Sequence, residues 1–299
     1  MVKLGFYCMN QKGYEVLIDF IRVMGSSYIN YVVSSRDKNI LKDYYDDIKE
    51  LCIYNDVVFL DRNDNAINRY TEDYKVSIGW RWIIPNYQNL LVMHDSLLPK
   101  YRGFAPLVNM LINGENIIGV SLLYASSEYD KGNIIGQSSI NINYPIKIQQ
   151  AIDLIAPLYS EVLLDSLKKL CSNSSFEGEL QNCDQASYSP WLDAVDYYID
   201  WKWSASKIRR FVDAVGPPYD GAKIISGEKI FRVFDVEEYG DITVEHRERH
   251  VGKIIFMHKQ KPVVICGEGL LLLDNIESLD PSYAVEKMPF RTRFKRNVL

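Results

Sequence analysis

The sequence lacks the marks of several large classes. No apolar run approaches the roughly 18 residues of a bilayer-spanning helix, so no membrane span is expected. The five cysteines are odd in number and scattered, with no C-x-x-C pair. That excludes a disulfide framework and predicts reduced thiols in a cytoplasmic protein. Basic charge is not in excess: the formal net charge is -5, which gives no footprint for wrapping nucleic acid. The first strand–helix turn, Met9-Asn10-Gln11-Lys12-Gly13, lacks G-x-G-x-x-G, which excludes a dinucleotide site there. The start, MVKLGFYCMN, reads as a strand and has no signal-peptide architecture. Histidine is scarce, with four in all. His246 and His250 stand four apart in HRERH, but charged flanks between strand signals predict a solvated loop, and no metal site is expected.

What is present is an ordinary globular composition, 47% apolar and 24% charged, over 299 residues. That length allows two domains with a sizeable core. Strands are predicted at 2–8, 28–34 and 57–61. Helices are predicted from Gly13 to Arg22, on Tyr14, Leu17, Ile18 and Ile21, and over 38–51. Such alternation implies a parallel sheet with right-handed crossovers. Residues 74–85 form the next strand and its exit loop. Trp80, Arg81 and Trp82 there fit either a slot for a flat aromatic ligand or core packing beside one solvated arginine.

Residues 90–106, LLVMHDSLLPKYRGFAP, organise the chain. A short apolar run predicts a buried strand that delivers His94 at its end, where open α/β sheets collect their chemistry. Pro99 and Gly103 mark an irregular loop carrying Lys100, Tyr101 and Arg102. The residues alone allow a general base beside an anion-binding loop, or a buried histidine satisfied by a backbone carbonyl.

Beyond it, a helix is predicted over 106–113 and strands over 119–126 and 133–142. A long amphipathic helix is predicted over 147–170, with Ala151, Leu154, Ile155, Leu158 and Val162 on one stripe. Residues 172–187 read as a polar connector. A helix from Ser204 to Val215 precedes short strands at 223–226, 230–236, 251–257, 262–266 and 269–274, whose spacing suits a small open barrel. The basic end, RTRFKRNVL, reads as a solvated terminus.

His94-Asp95-Ser96-Leu97-Leu98-Pro99-Lys100-Tyr101-Arg102-Gly103 resembles the H-x-S-L-L-P-x-[YW]-R-G signature of folate-dependent formyltransferases. Gly119-Val120-Ser121 leads into Tyr129-Asp130-Lys131-Gly132-Asn133-Ile134-Ile135, similar to that family's G-V-[TS] … D-x-G-[DA]-I-[IL]. Asp200-Trp201 and Gly216-Pro217-Pro218-Tyr219-Asp220-Gly221-Ala222 resemble the hinge into its small C-terminal domain. The resemblance implies a Rossmann-like α/β catalytic domain over 1–190 and an OB-like β-barrel over 191–299. It implies His94 and Asp130 as the catalytic pair. Trp80, Arg81, Trp82, Ile83, Tyr129 and Asp130 are its expected contacts to 10-formyltetrahydrofolate. Ser96, Lys100, Tyr101, Arg102 and Gly103 are its expected contacts to the acceptor, and the first strand–helix loop offers Asn10 and Lys12 as further ones. A homodimer is expected on the same ground.

One departure stands out. The family has asparagine two residues before the histidine, and this chain has Val92. On a strand, 92 and 94 share a face, so an amide donor is replaced by an aliphatic group. Loss of one oxyanion donor costs about 2.7–4 kcal/mol. Ser96 has the parity to replace it if the strand runs that far, whereas Asn86 and Asn89 are near in sequence only. The S-L-L-P-K-Y-R-G run and the acidic, tyrosine-rich composition favour a nucleotide-linked amino-dideoxy sugar as acceptor. Methionyl-tRNA, or a binding homologue without turnover, are the alternatives.

Overall fold

The computed structural model describes residues 2–171, 177–280 and 289–295. Contacts divide the chain into two compact units, one of residues 1–107, 116–142 and 150–190, the other of residues 108–115, 143–149 and 191–299.

The first unit is built on a seven-stranded sheet. Strand β1 (Leu4–Cys8) is buried along its whole length and leads into helix α1 (Asn10–Met24), which buries Gly13, Val16, Leu17 and Phe20. The buried stripe thus runs through Val16 and Phe20, while Tyr14, Ile18 and Ile21 lie at its half-buried margin. Strand β2 (Ile29–Ser34) is followed by helix α2 (Tyr45–Tyr54) and strand β3 (Phe59–Asp61). The helix starts later than the charge pattern over 38–51 suggests. The Asp43 carboxylate accepts N–H groups of Asp37 and Tyr45, at 3.2 and 3.1 Å, and holds the preceding segment as turns.

Strand β4 (Tyr74–Ile78) and strand β5 (Leu90–His94) complete a parallel set in the order β3-β2-β1-β4-β5. A two-residue strand, β6 (Arg102–Gly103), precedes helix α3 (Pro106–Asn113). That helix opens on a proline, whose missing N–H would have gone unpaired in a first turn. Strand β7 (Ile117–Tyr124) then joins antiparallel to β5, and β8 (Ile134–Asn141) antiparallel to β7. Helix α4 (Ile148–Cys171) buries Ile148, Ala151, Ile152, Ile155, Ala156, Tyr159, Val162 and Leu163. Leu154 is exposed and Leu158 half-buried, so the burial stripe runs one position aside from the expected one. Strand β9 (Tyr188–Ser189) pairs with β6. The expected connector over 172–187 falls partly, at 172–176, outside the described residues.

In the second unit Ser204 caps helix α5 (Ala205–Val215), its Oγ accepting the Lys207 N–H at 3.2 Å. Strands β10 (Ala222–Ser226), β11 (Lys229–Tyr239), β12 (Ile254–His258), β13 (Lys261–Ile265) and β14 (Leu270–Ser278) form an antiparallel sheet in the order β10-β11-β14-β13-β12. Residues 292–295 lie between the two edges of that sheet. Lys295 N–H donates to Ile225 O at 3.0 Å, Phe294 N–H to Gly252 O at 2.8 Å, and Ile254 N–H to Thr292 O at 3.1 Å. The barrel closes through this segment, as an OB-like domain requires. Phe294 is buried and stacks on Trp201 at 5.5 Å. The expected solvated terminus is therefore structural through residue 295; 296–299 lie outside the described residues. His246 is exposed and His250 meets Lys253 Nζ at 2.9 Å. Among the described residues no three His, Cys, Asp or Glu side chains gather as a metal site. No described helix is long and apolar enough to cross a membrane.

Candidate active site

Strand β5 places Leu90, Val92 and His94 on one face, and His94 sits at its carboxyl end opposite Ser121 of β7. The histidine is 6% exposed. Its Nε2 lies 2.8 Å from the Tyr101 carbonyl oxygen. A carbonyl only accepts, so Nε2 carries the hydrogen and the neutral ring keeps its lone pair on Nδ1. Nδ1 faces Asp130 Oδ2 at 3.7 Å. His94 is satisfied by a backbone carbonyl, and that carbonyl fixes the tautomer that presents Nδ1.

Asp130 is held from two sides. Its Oδ2 accepts the Gly103 N–H at 2.8 Å, and its carbonyl accepts Gln181 Nε2 at 2.7 Å. Two glycines make this approach feasible. Gly103 has φ 101°, and a Cβ there would meet Ser189 O at 2.7 Å. A Cβ on Gly132 would lie 1.8 Å from Tyr124 O. Behind His94, buried Ser121 donates from Oγ to Ser96 O at 2.6 Å and accepts from Leu98 N–H at 3.0 Å and Gln137 Nε2 at 2.7 Å. This network fixes the loop after the strand.

The expected acceptor contacts divide. Asn10, at φ 61°, opens α1 with its Oδ1 buried and without a hydrogen-bond partner. Lys100 is exposed, while Tyr101 is half-buried and donates its N–H to Ser187 Oγ at 2.9 Å. Arg102 is turned to neutral partners within the protein. It is 1% exposed, its Nε and Nη2 donate to Gln181 Oε1 at 3.0 and 2.7 Å, and Nη1 lies 3.4 Å from the Tyr188 hydroxyl. Ser96 is fully buried and donates to Lys100 O at 2.7 Å, so its hydrogen cannot replace the amide missing at Val92. Asn86 and Asn89 precede β5 and sit at its far end. Lys12 pairs with Asp95, which also accepts the Tyr159 hydroxyl. Burial pushes the Asp95 carboxyl up, but the Lys12 ammonium and the two hydrogen bonds outweigh it and hold the group below the usual carboxylate range.

Of the expected folate contacts, Trp80 is half-buried, its ring 5.2 Å from those of Tyr7 and of Trp82. Arg81 pairs with Asp37 at 2.7 Å, and Arg62 covers the Trp82 ring at 4.2 Å. Ile83 and Tyr129 are 78% and 66% exposed, with Phe104 beside Tyr129 at 6.2 Å.

Sequence reasoning missed Gln181, which ties Arg102 to the Asp130 loop. It stands in a polar stretch without periodicity or motif. The Lys12–Asp95–Tyr159 cluster was missed as well, because its members are 83 and 64 residues apart.

The formyl transferase family matches residues 32–161, and the formyl transferase C-terminal domain matches residues 192–282. A methionyl-tRNA formyltransferase of Acetivibrio thermocellus is 30% identical over 65% of this chain. The match covers 60% of that protein, and this chain spans about 60% of the length of the curated relatives it first matches. Two solved structures share the fold over nearly the whole chain. A sugar 3N-formyl transferase, solved in the presence of dTDP and 5-N-formyl-THF, has a TM-score of 0.69 at 16% identity, covering 94% of this chain and 98% of its own. The N-formyltransferase of Helicobacter canadensis, in complex with folinic acid and dTDP-3-aminofucose, also has a TM-score of 0.69 at 16% identity, covering 93% of this chain and 100% of its own. With the family's N-terminal and C-terminal models together matching most of its length, the chain belongs to the formyl transferase family.

Proposed function

We propose that the protein transfers a formyl group from 10-formyltetrahydrofolate to the amine of a nucleotide-linked amino-dideoxy sugar. The observation that carries this is the His94–Asp130 pair, with Nδ1 presented to the carboxylate at the end of β5. As the acceptor nitrogen bonds to the formyl carbon, the carbonyl π pair moves onto oxygen. His94 Nδ1 takes the amine proton, and the resulting imidazolium faces Asp130. When the bond from carbon to the folate nitrogen breaks, the same pair returns a proton to that nitrogen. The products are a formamide and tetrahydrofolate, with no net change in protons on the pair.

A sugar acceptor is favoured by the near full-length likeness to two sugar formyltransferase structures and by the net charge of -5. A methionyl-tRNA acceptor is the second reading, favoured by the names of the sequence relatives. Competing the two acceptors at varied salt separates them, because transfer to tRNA weakens steeply as salt rises. The reading carries with it a cytoplasmic homodimer, whose mass a sedimentation run checks.

A further inference from the structure

Lys12 and Asp95 take part in no step of the reaction above, yet they stand beside its base. We propose that Lys12 is a positioning residue for His94: its ammonium cancels the charge of the Asp95 carboxylate, so that the imidazolium formed in the reaction answers to Asp130 rather than to two anions. The inference rests on the formyl-transfer reading above.

The backbone holds Asp95 against the base. Ser96 N–H donates to His94 O at 2.9 Å, an i to i+2 bond that makes Asp95 the central residue of a γ-turn. Two helices anchor that turn. The Asp95 carboxylate pairs with Lys12 in the first turn of α1 and accepts the Tyr159 hydroxyl from the middle of α4. The Lys12 ammonium also lies 5.5 Å from the centre of the Tyr159 ring. The Lys12 and Asp95 side chains are 12% and 16% exposed, so salt screens them little. Burial opposes ionisation of Asp95, while Lys12, Tyr159 and a charge on His94 favour it. From the β7–β8 connection Asp130 faces the ring at 3.7 Å, and the Tyr101 carbonyl meets its Nε2 at 2.8 Å. Beside the pair, Glu15 and Asp153 share Gln11 Nε2, at 2.8 Å each.

A base that takes a proton and gives it back needs its two states close in energy. One carboxylate at Nδ1 already favours the charged ring. A second, uncompensated and poorly screened, would favour it further and hold a proton on the resting histidine. Lys12 removes that second field and leaves the Asp95 side chain in place to anchor the turn.

The test uses the full chain with Lys12→Met, Asp95→Asn, the double variant and Lys12→Arg. One readout is the acid limb of kcat/KM against pH. The other needs no acceptor: the titration of the His94 ring by NMR of 13C-labelled histidine, one of four in the chain and assigned with His94→Ala. Lys12→Met leaves an anion beside the ring and moves both readouts upward by about half to one pH unit. Asp95→Asn leaves a cation there and moves both downward by a similar amount. The double variant and Lys12→Arg stay close to the parent. A merely structural pair would move both single variants the same way, so opposite signs separate charge from packing. Where Lys12→Met does not fold, Asp95→Asn decides: a downward shift supports the proposal and an unmoved ring overturns it. Unmoved or same-sign shifts overturn it. So does an acceptor KM raised about tenfold in Lys12→Met with the ring titration unchanged, which returns Lys12 to the acceptor. If the ring shifts in opposite directions in the two variants while no amine is formylated, the formyl-transfer reading fails and the charge pair stands.

Discussion

Arg102 tests whether this loop binds a ligand or builds the site. Arg102→Met removes two charge-assisted hydrogen bonds to Gln181 Oε1, at 3.0 and 2.7 Å, from a side chain that is 1% exposed. Hydrogen bonds to charged groups contribute about 1.5–3 kcal/mol each, and two that share one acceptor add less than fully. The expected loss is about 3 kcal/mol, offset little by the methionine because Gln181 Oε1 stays unpaired. For a unit of this size that lowers Tm by about 6–12 °C. Gln181 Nε2 also holds the carbonyls of Asp130 and Gly132, so kcat falls along with stability. Calorimetry and steady-state kinetics on the same preparation give both numbers. An unchanged Tm with a tenfold higher KM for the acceptor would refute the reasoning and restore Arg102 as an anion contact.

Asp130→Asn puts an amide opposite Nδ1 and removes the charge that favours the imidazolium; kcat should drop about 10²–10⁴-fold with KM little changed, and a drop under threefold counts against the pair. Lys12→Met strands Asp95 in a buried site, so urea denaturation should show a loss of about 3–5 kcal/mol, whereas a loss below 1 would mean that solvent reaches the carboxylate. The Asp95 carboxyl is depressed in the folded state, so its stabilising contribution is present above the unfolded value and fades as pH falls through the lower folded one. Asp213 behaves oppositely: burial raises it to about 6, against partial relief from Lys147 and Arg209 and with Asp235 adding to the rise. Its folded value exceeds its unfolded one, so stability falls as pH climbs from about 4 to 6. Asp213→Asn should flatten that window and add about 1–2 kcal/mol at pH 7.5, discounted for its partial exposure; a pH profile identical to the parent's would contradict this.

Local signals with a physical cause were legible. Pro106 and the Asn113-Gly114 pair bound α3 where expected, because a fixed φ starts a helix and a left-handed glycine, φ 78°, ends it. The apolar run before His94 is β5, and the short barrel strands appear near their expected places. Features made by long-range side-chain bonds were not legible. The Arg102–Gln181–Asp130 bracing spans 79 residues and hides in a polar stretch. Charge density suggested solvent for residues 292–295, yet alternate side chains there, Thr292 and Phe294, turn inward once the backbone pairs with both sheet edges. On α4, Tyr159 takes a buried place through its hydroxyl on Asp95, which an apolar count misses.

The most direct measurement is turnover with 10-formyltetrahydrofolate and a panel of UDP- and dTDP-linked 4-amino and 3-amino sugars, beside a His94→Ala control. Tetrahydrofolate release should match a mass gain of one formyl group on the sugar, and both should vanish in the control. Folate binding without formylation of any sugar, or turnover that survives His94→Ala, would contradict the assignment of this site.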